Sequence, residues 1–176
     1  MKTKVMKHLL FSFLLIASPA IASAAGLTAT IKQEAQSCAD ALLTSDYAAV
    51  VKYTHPRIVS LMGGKDAVIT ILQRGATQME AQGIQFEKAT MDTPTEPQKF
   101  GTWLTSIIPQ HIVMKVPGGH LHQDSTLLGI SEDEGATWVF LDLGPISSAQ
   151  FAQVFPELDG KVTLPEKREP VLQKDE

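Results

Sequence analysis

The string H-L-H-Q-D, residues 120–124, contains side chains that could bind a metal ion. His120, His122 and Asp124 alternate along an expected strand, so their side chains would share one face of the sheet. Two imidazoles and a carboxylate form a ligand set that zinc or iron accepts. That face is expected to be the polar one, and Lys115 is expected opposite His122, where its ammonium would repel a cation. We therefore predict a solvated strand face and no metal site, although a β-bulge that shifted the register would reopen the alternative.

A second group of side chains could line a ligand cavity. A curved sheet covered by helices commonly leaves a cavity at one end. The expected ligand contacts are Tyr53, His55, Trp103, Met114, Gln123 and Trp138. Most of them have a structural alternative, since the tryptophans and Met114 are ordinary core residues and His55 before Pro56 could cap a helix. Arg57 could neutralise an anionic ligand or pair with a surface acid.

The stretch S-E-D-E-G-A-T-W-V-F, residues 131–140, contains the pattern S-x-D-x-G-x-T-W. This pattern resembles the Asp-box hairpin of sialidase-type β-propellers. A propeller needs several four-stranded blades, hence several hundred residues and a sequence repeat, and this chain of 176 residues has no repeat. We therefore predict a tight hairpin and no glycosidase. Asp133 would accept hydrogen bonds from turn amides, Gly135 would supply an unusual backbone dihedral, and Trp138 would point into the core.

The elements that must position these residues divide into helices first and strands second. Apolar spacing predicts a helix over residues 27–44, followed by a short helix capped by Ser45 or Asp46. Another short helix begins at Pro56, and a longer one covers Asp66–Gln82. From residue 84 onward, apolar and polar residues alternate with the two-residue period of β-strands. The expected strands are 84–92, 100–116, 120–130 and 137–143, and a short helix is expected over 147–155.

Two details of the strands determine which side chains share a face. Pro109 indicates an edge position, a bulge or a sharp bend within the long strand. If Gly118-Gly119 is a two-residue loop, Lys115 faces His122 and His111 faces Thr126. The opposite face then collects the apolar residues, so it is expected to pack against the helices. Its members are Ile112, Met114, Val116, Leu121 and Leu127, together with Gln123 and Ser125.

The two ends of the chain indicate export. Residues 1–24 have a lysine-containing start, a short apolar run and a small-residue cleavage site before Ala25, which is typical of a secretory signal peptide. Residues 25–158 are expected to form one domain, and residues 159–176 a polar, mobile tail. Cys38 is the chain's single cysteine, so it can form no intramolecular disulfide, and its helical position favours a small buried hydrophobe.

Charge restricts the range of partners. Of 15 Lys+Arg residues three lie in the signal peptide, which carries none of the 19 Asp+Glu, so the remaining chain has a net charge of about −7. No basic patch is apparent, and nucleic-acid binding is not expected. We expect a periplasmic location and no membrane association after cleavage.

The helix-then-strand order, with Y-T-H-P-R-I-V at residues 53–59 and G-G-K at residues 63–65, resembles the nuclear transport factor 2-like (NTF2-like) superfamily. That superfamily includes SnoaL-type cyclases and ketosteroid isomerases. The resemblance covers about residues 27–143. It implies an α+β fold in which N-terminal helices pack on a strongly bent antiparallel sheet, forming a cone. The string is similar to those of secreted bacterial members of uncharacterised function.

An enzymatic member of that superfamily would need a carboxylate base inside the cone. The inner face of the central hairpin carries no acid, and Asp142 is the strand-end carboxylate that could reach a cavity mouth. The catalytic candidates are His55, Asp142 and Tyr53, and none of them is assigned a role.

Three functions follow as expectations. The first is an exported module without catalysis that binds a small apolar or amphipathic ligand or a protein partner. The second is a small-molecule enzyme of isomerase, dehydratase or hydrolase type. The third is a structural partner that dimerises through its sheet, as many members of the superfamily do. None of them calls for a cofactor.

Overall fold

A computed structural model describes residues 24–166 and 168–175. The signal peptide predicted for residues 1–24 therefore lies outside the described residues, apart from Ala24. Four helices come first, as predicted. They are α1 Ala24–Leu43, α2 Tyr47–Lys52, α3 Pro56–Leu61 and α4 Lys65–Ala81. No helix of the described part combines the length and apolar character that crossing a membrane requires.

Local chemistry sets the starts of the two short helices. The Asp46 carboxylate accepts a hydrogen bond from the Ala49 amide and thereby caps α2. His55 caps α3 in the same way, because its Nδ1 accepts from the Arg57 amide while Pro56 occupies the first helical position. Of the predicted alternatives for these positions, Asp46 rather than Ser45 is the cap of α2.

The remaining chain forms a six-stranded antiparallel sheet and one further helix. The elements are β1 Gln85–Met91, β2 Gln98–Phe100, β3 Trp103–Val116, β4 Gly119–Ser131, β5 Val139–Asp142, α5 Ser148–Val154 and β6 Val171–Lys174. The strand order is β1-β3-β4-β5, with β2 paired to β3 and β6 paired to β4. Helices followed by an antiparallel sheet are the α+β class that the sequence predicts.

The register of the β3–β4 hairpin differs from the prediction. Val116 pairs with Gly119, so the two loop residues are Pro117 and Gly118 rather than Gly118 and Gly119. Lys115 consequently faces His120. A proline followed by a glycine at φ 84° fits the two central positions of a type II turn, which explains the choice of loop. Because the shift is two residues, every side chain keeps its predicted face.

Pro109 lies within a continuous β3, opposite Thr126 of β4. Pairing between β1 and β3 ends at Met91 and Gln110, so Pro109 occupies the edge position that was one of the predicted alternatives. Its carbonyl still accepts a hydrogen bond from the Asp92 amide. The bulge of this sheet lies in β1, between Phe86 and Lys88.

Both faces of the sheet are covered at its centre. On one face, α1 packs against the sheet in a cluster that includes Ile31, Ala35, Ile108, Trp138 and Phe140. On the other face, α5 and the chain that follows it contribute Phe151, Phe155 and Leu158 to a second cluster with Trp103, Leu128 and Ile130. Val162 and Leu164, which follow Leu158 in the chain, are partly buried and also pack against the second cluster.

The segment predicted to be a mobile tail contains a strand that the sequence analysis did not predict. Strand β6 pairs antiparallel with the start of β4, joining Gly119 to Lys174 and His122 to Val171. All four residues of β6 are exposed. Because none of these side chains is buried, β6 lacks the alternation of apolar and polar residues that predicts a strand.

Candidate ligand cavity between α1 and the sheet

A cavity of about 190 Å³ lies between α1 and the inner face of the sheet. Small residues on α1, Ala35, Cys38 and Ala39, face it and leave the space open. The facing wall comes from β1, β3, β4 and β5. Its apolar part consists of Phe86, Ala89, Ile112, Leu127 and Phe140.

Four residues with hydroxyl, amide or carboxylate side chains line this largely apolar cavity: Tyr53, Thr54, Gln110 and Asp142. The Thr54 hydroxyl donates to the Val50 carbonyl within its own turn. Tyr53 follows α2 and packs against Phe140, with ring centroids 6.1 Å apart. Gln110 of β3 is 8% exposed as a whole residue. Its amide has no hydrogen-bond partner among the described residues, and since none of their fully enclosed side-chain nitrogens or oxygens is unpaired, this amide is in contact with solvent. The Gln110 amide therefore keeps a donor and an acceptor that a bound molecule could use in place of water.

Asp142 at the end of β5 is held by two donors on one oxygen. Its Oδ1 accepts from the Ser125 hydroxyl at 2.5 Å and from the Gly144 amide at 2.8 Å. Its Oδ2 has no hydrogen-bond partner within residues 24–166 and 168–175. The carboxylate is therefore oriented by the protein and keeps one oxygen for a ligand or a proton.

Cys38 contributes a thiol to the cavity wall. Burial raises its pKa to about 11, because a thiolate would lose its hydration there. The thiol therefore stays protonated near neutral pH, which agrees with the prediction of a small apolar side chain rather than a nucleophile.

His55, one of the catalytic candidates, lies in the second core cluster and does not line this cavity. Its ring is 1% exposed and packs against Trp103 at 5.7 Å and edge-on against Phe155 at 4.9 Å. Since Nδ1 accepts from the Arg57 amide at 3.1 Å, Nε2 carries the proton and donates to Glu132 at 3.2 Å. Burial lowers the pKa of His55, and the attraction of Glu132 offsets only part of that effect.

Arg57 takes the second of its two predicted roles. Its guanidinium lies over the Trp103 ring at 4.9 Å and binds both carboxylate oxygens of Glu157, at 2.8 and 2.7 Å. These hydrogen bonds lower the pKa of Glu157 to about 2. The cation therefore belongs to a surface ion pair and is directed away from the cavity.

The other predicted ligand contacts also lie elsewhere. Trp103 belongs to the second cluster, and Trp138 is a core residue beside α1. Met114 is buried between Phe86 of β1 and Leu121 of β4. Gln123 lines a polar cleft of about 580 Å³ beside the C-terminal segment, and Gln110 borders both this cleft and the cavity.

Of the seven predicted catalytic or ligand-contact residues, Tyr53 and Asp142 line the cavity. Gln110, which was not among them, lines it as well. Strand parity could have found Gln110, because it shares a face with Ile112 and Met114 and lies opposite Ser125. The remaining side chains of the set serve the core or the surface.

The Asp-box-like stretch forms the predicted hairpin and takes no part in the cavity. Asp133 accepts from the Thr137 amide at 2.9 Å and from its hydroxyl at 2.7 Å. Ser131 Oγ accepts from the Gly135 amide at 2.9 Å, and Gly135 has φ 93°. Trp138 is 2% exposed and donates from its indole to the Gly135 carbonyl. The motif is thus a self-contained turn that inserts one tryptophan into the core.

The outer face of the hairpin carries a group of ion pairs around His111. His111 lies between two carboxylates, with Nδ1 2.7 Å from Asp124 and Nε2 3.0 Å from Asp92. Hydrogen bonds to both carboxylates raise its pKa, because only the imidazolium can donate from both nitrogens. Arg168 also binds Asp124, at 2.9 Å. Across the described ranges, no three His, Cys, Asp or Glu side chains are arranged to hold a metal ion.

Comparison with known proteins adds no assignment to this geometry. The chain matches no protein-family model, no curated protein and no solved structure.

Proposed function

We propose that this chain is an exported, periplasmic NTF2-like module that binds one small amphipathic molecule in the cavity between α1 and the sheet. The signal-peptide pattern supports export, and the helix-then-strand order with the residue 53–65 strings supports the family. The single observation that carries the binding proposal is that a largely apolar cavity is lined by an amide without a protein partner, Gln110, and by an oriented carboxylate, Asp142.

The size and lining of the cavity limit the ligand. An apolar cavity of about 150 Å³ accepts a molecule the size of benzene, so about 190 Å³ suits a single substituted ring or a short branched chain. The ligand should carry a hydroxyl or amine that donates to Asp142 and a polar atom that pairs with Gln110. An anionic group is disfavoured, because Asp142 would repel it and Arg57 is paired with Glu157 elsewhere.

Native mass spectrometry of protein taken from its own periplasm, together with a filled-cavity variant, tests this proposal. Ala39 lines the cavity, so Ala39→Leu should fill part of it and abolish a retained ligand mass as well as binding of p-cresol. Ser37→Leu is the matched control, since it introduces the same side chain at an exposed position of the same helix. The proposal is wrong if Ala39→Leu and Ser37→Leu bind p-cresol with equal affinity, or if the parent protein binds no p-cresol.

Catalysis is a second candidate function because Asp142 keeps Oδ2 without a partner. In this role the carboxylate would act as a general base toward a ligand held by Tyr53 and Gln110, giving an isomerase, dehydratase or hydrolase. Asp142→Asn retains the shape and removes the base. Turnover of a retained ligand by the parent protein, with binding but no turnover by the variant, would favour the enzyme; binding without turnover by both would favour the module.

A further inference from the structure

The C-terminal segment is attached to the hairpin by contacts at both ends of β6. Gly119 lacks a side chain where the Gln173 carbonyl approaches, and a Cβ at that position would overlap this oxygen. The edge of β4 at Gly119–His122 is therefore shaped to receive another strand closely. In this structure the chain's own β6 occupies it.

Side chains on the outer face add specific anchors to this backbone pairing. His120 Nδ1 lies 3.4 Å from Asp175, and its Nε2 lies 3.1 Å from Glu87 of β1. His122 Nε2 meets the Gln173 amide oxygen at 3.0 Å. Farther along the segment, Arg168 binds Asp124. All the anchors that involve the C-terminal segment join it to β4, so they would be equally good if the segment came from another copy.

Strand β6 can leave its own molecule at little cost to the core. None of its side chains is buried, and Val171 and Leu172 are 66% and 49% exposed. The last half-buried residues before it are near Leu164 and Pro165, so the connecting stretch 165–170 is about six residues long. Such a stretch can span roughly 20 Å, which exceeds the ~10 Å between packed sheets.

We propose that the edge of β4 at Gly119–His122 is a strand-exchange surface whose partner is the C-terminal strand of a second copy of this chain. Reciprocal exchange gives a closed two-fold dimer in which each hairpin receives the partner's β6. In the exchanged dimer Val171 and Leu172 would face His122 and Leu121 of the partner, the same residue types that they face within one chain. The proposal is independent of the cavity and of any ligand.

Disulfide trapping tests the exchange directly. Leu121 and Leu172 are paired across β4 and β6, so cysteines there can join when the strands pair. Two full-length chains are prepared with Cys38→Ser, one carrying only Leu121→Cys and the other only Leu172→Cys. A disulfide between the two chains requires β6 of one copy to pair with β4 of the other. We expect at least a tenfold excess of linked heterodimer over a control mixture in which Ile71→Cys, an exposed site on α4, replaces Leu121→Cys.

A single chain that carries both Leu121→Cys and Leu172→Cys provides the second measurement. If it forms only an intramolecular disulfide at all protein concentrations, and the mixture yields no more heterodimer than the Ile71→Cys control, β6 pairs only within its own chain and the proposal is wrong. If neither preparation forms a disulfide, β6 does not pair with β4 in solution, and the proposal is equally overturned.

Discussion

His55 illustrates, at the scale of one residue, how surroundings decide whether a histidine can perform acid–base chemistry. It combines a reactive side chain with the position before a proline, which made it a catalytic candidate. In the fold its Nδ1 is used to cap α3, and its ring is enclosed by Trp103 and Phe155. Protonation at Nδ1 would remove the cap and bury a charge, so the ring is a neutral structural group.

This environment gives the protein a predictable response to acid. The pKa of His55 is lowered in the folded state, whereas the unfolded chain takes up the proton near 6.5. The contribution of His55 to folding is therefore present above pH 6.5 and is lost as the pH falls toward the lowered pKa, by at most about 1.4 kcal/mol per pH unit for one proton. We expect His55→Asn, which can still cap the helix, to flatten this part of the stability profile measured by urea unfolding.

A substitution that removes no titratable group provides the control for that measurement. Ser37→Asn, at an exposed position of α1, should leave the difference between stability at pH 7.5 and at pH 5 close to that of the parent protein. If His55→Asn shows the same pH dependence as the parent, His55 is charged in the folded state and the assignment of its neutral form is wrong.

At the scale of the element, the turn between β4 and β5 satisfies the hydrogen bonds of its own backbone amides and also contacts α1. The carboxylate of Asp133 and the hydroxyl of Ser131 satisfy turn amides. Gly135 adopts a positive φ, and because it has no Cβ, Leu27 can approach closely. A side chain at Gly135 would meet Leu27, so the turn is also a contact point for α1. The short motif thus has a full structural explanation without a binding role.

Trp138 is the point at which this turn contributes to stability. We expect Trp138→Ala to lower the free energy of unfolding by about 3–5 kcal/mol, because it removes a large, fully buried side chain and leaves a cavity beside Ile31 and Phe140. Denaturant unfolding followed by far-ultraviolet circular dichroism measures the change. A loss below about 1 kcal/mol would mean that the indole is not a core group.

At the scale of the molecule, the predictable part of the fold is the part with a repeating physical signal. The apolar stripe of α1, the caps at Asp46 and His55 and the alternation along β3 and β4 follow from period and local hydrogen bonding. The predicted hairpin register was two residues out, because two adjacent glycines indicate a loop at Gly118-Gly119, whereas Pro117-Gly118 prefers the two central positions of a type II turn.

The cavity was harder to predict than the elements. Its position depends on which core side chains are small, above all Ala35 and Ala39, and no local pattern distinguishes a small residue beside a void from one beside a neighbour. Asp142 and Tyr53 were identified because they end their elements. His55 and Trp103 were misplaced because two clusters on opposite faces of one sheet cannot be told apart by residue type.

The edge of β4 that points away from β3 is covered in an uneven way. Strand β6 covers residues 119–122 and strand β5 covers residues 127–130, while Gln123, Asp124 and Ser125 between them have no strand partner on that side. Amide hydrogen exchange along this one strand should therefore be slow, then fast, then slow again at the positions that point away from β3. Equal protection of all these amides would contradict the absence of a strand partner at residues 123–125. Fast exchange at residues 119–122 would mean that β6 opens far more often than β5. Exchange rates along β4 therefore report how firmly the C-terminal segment is attached, and no substitution is needed to measure them.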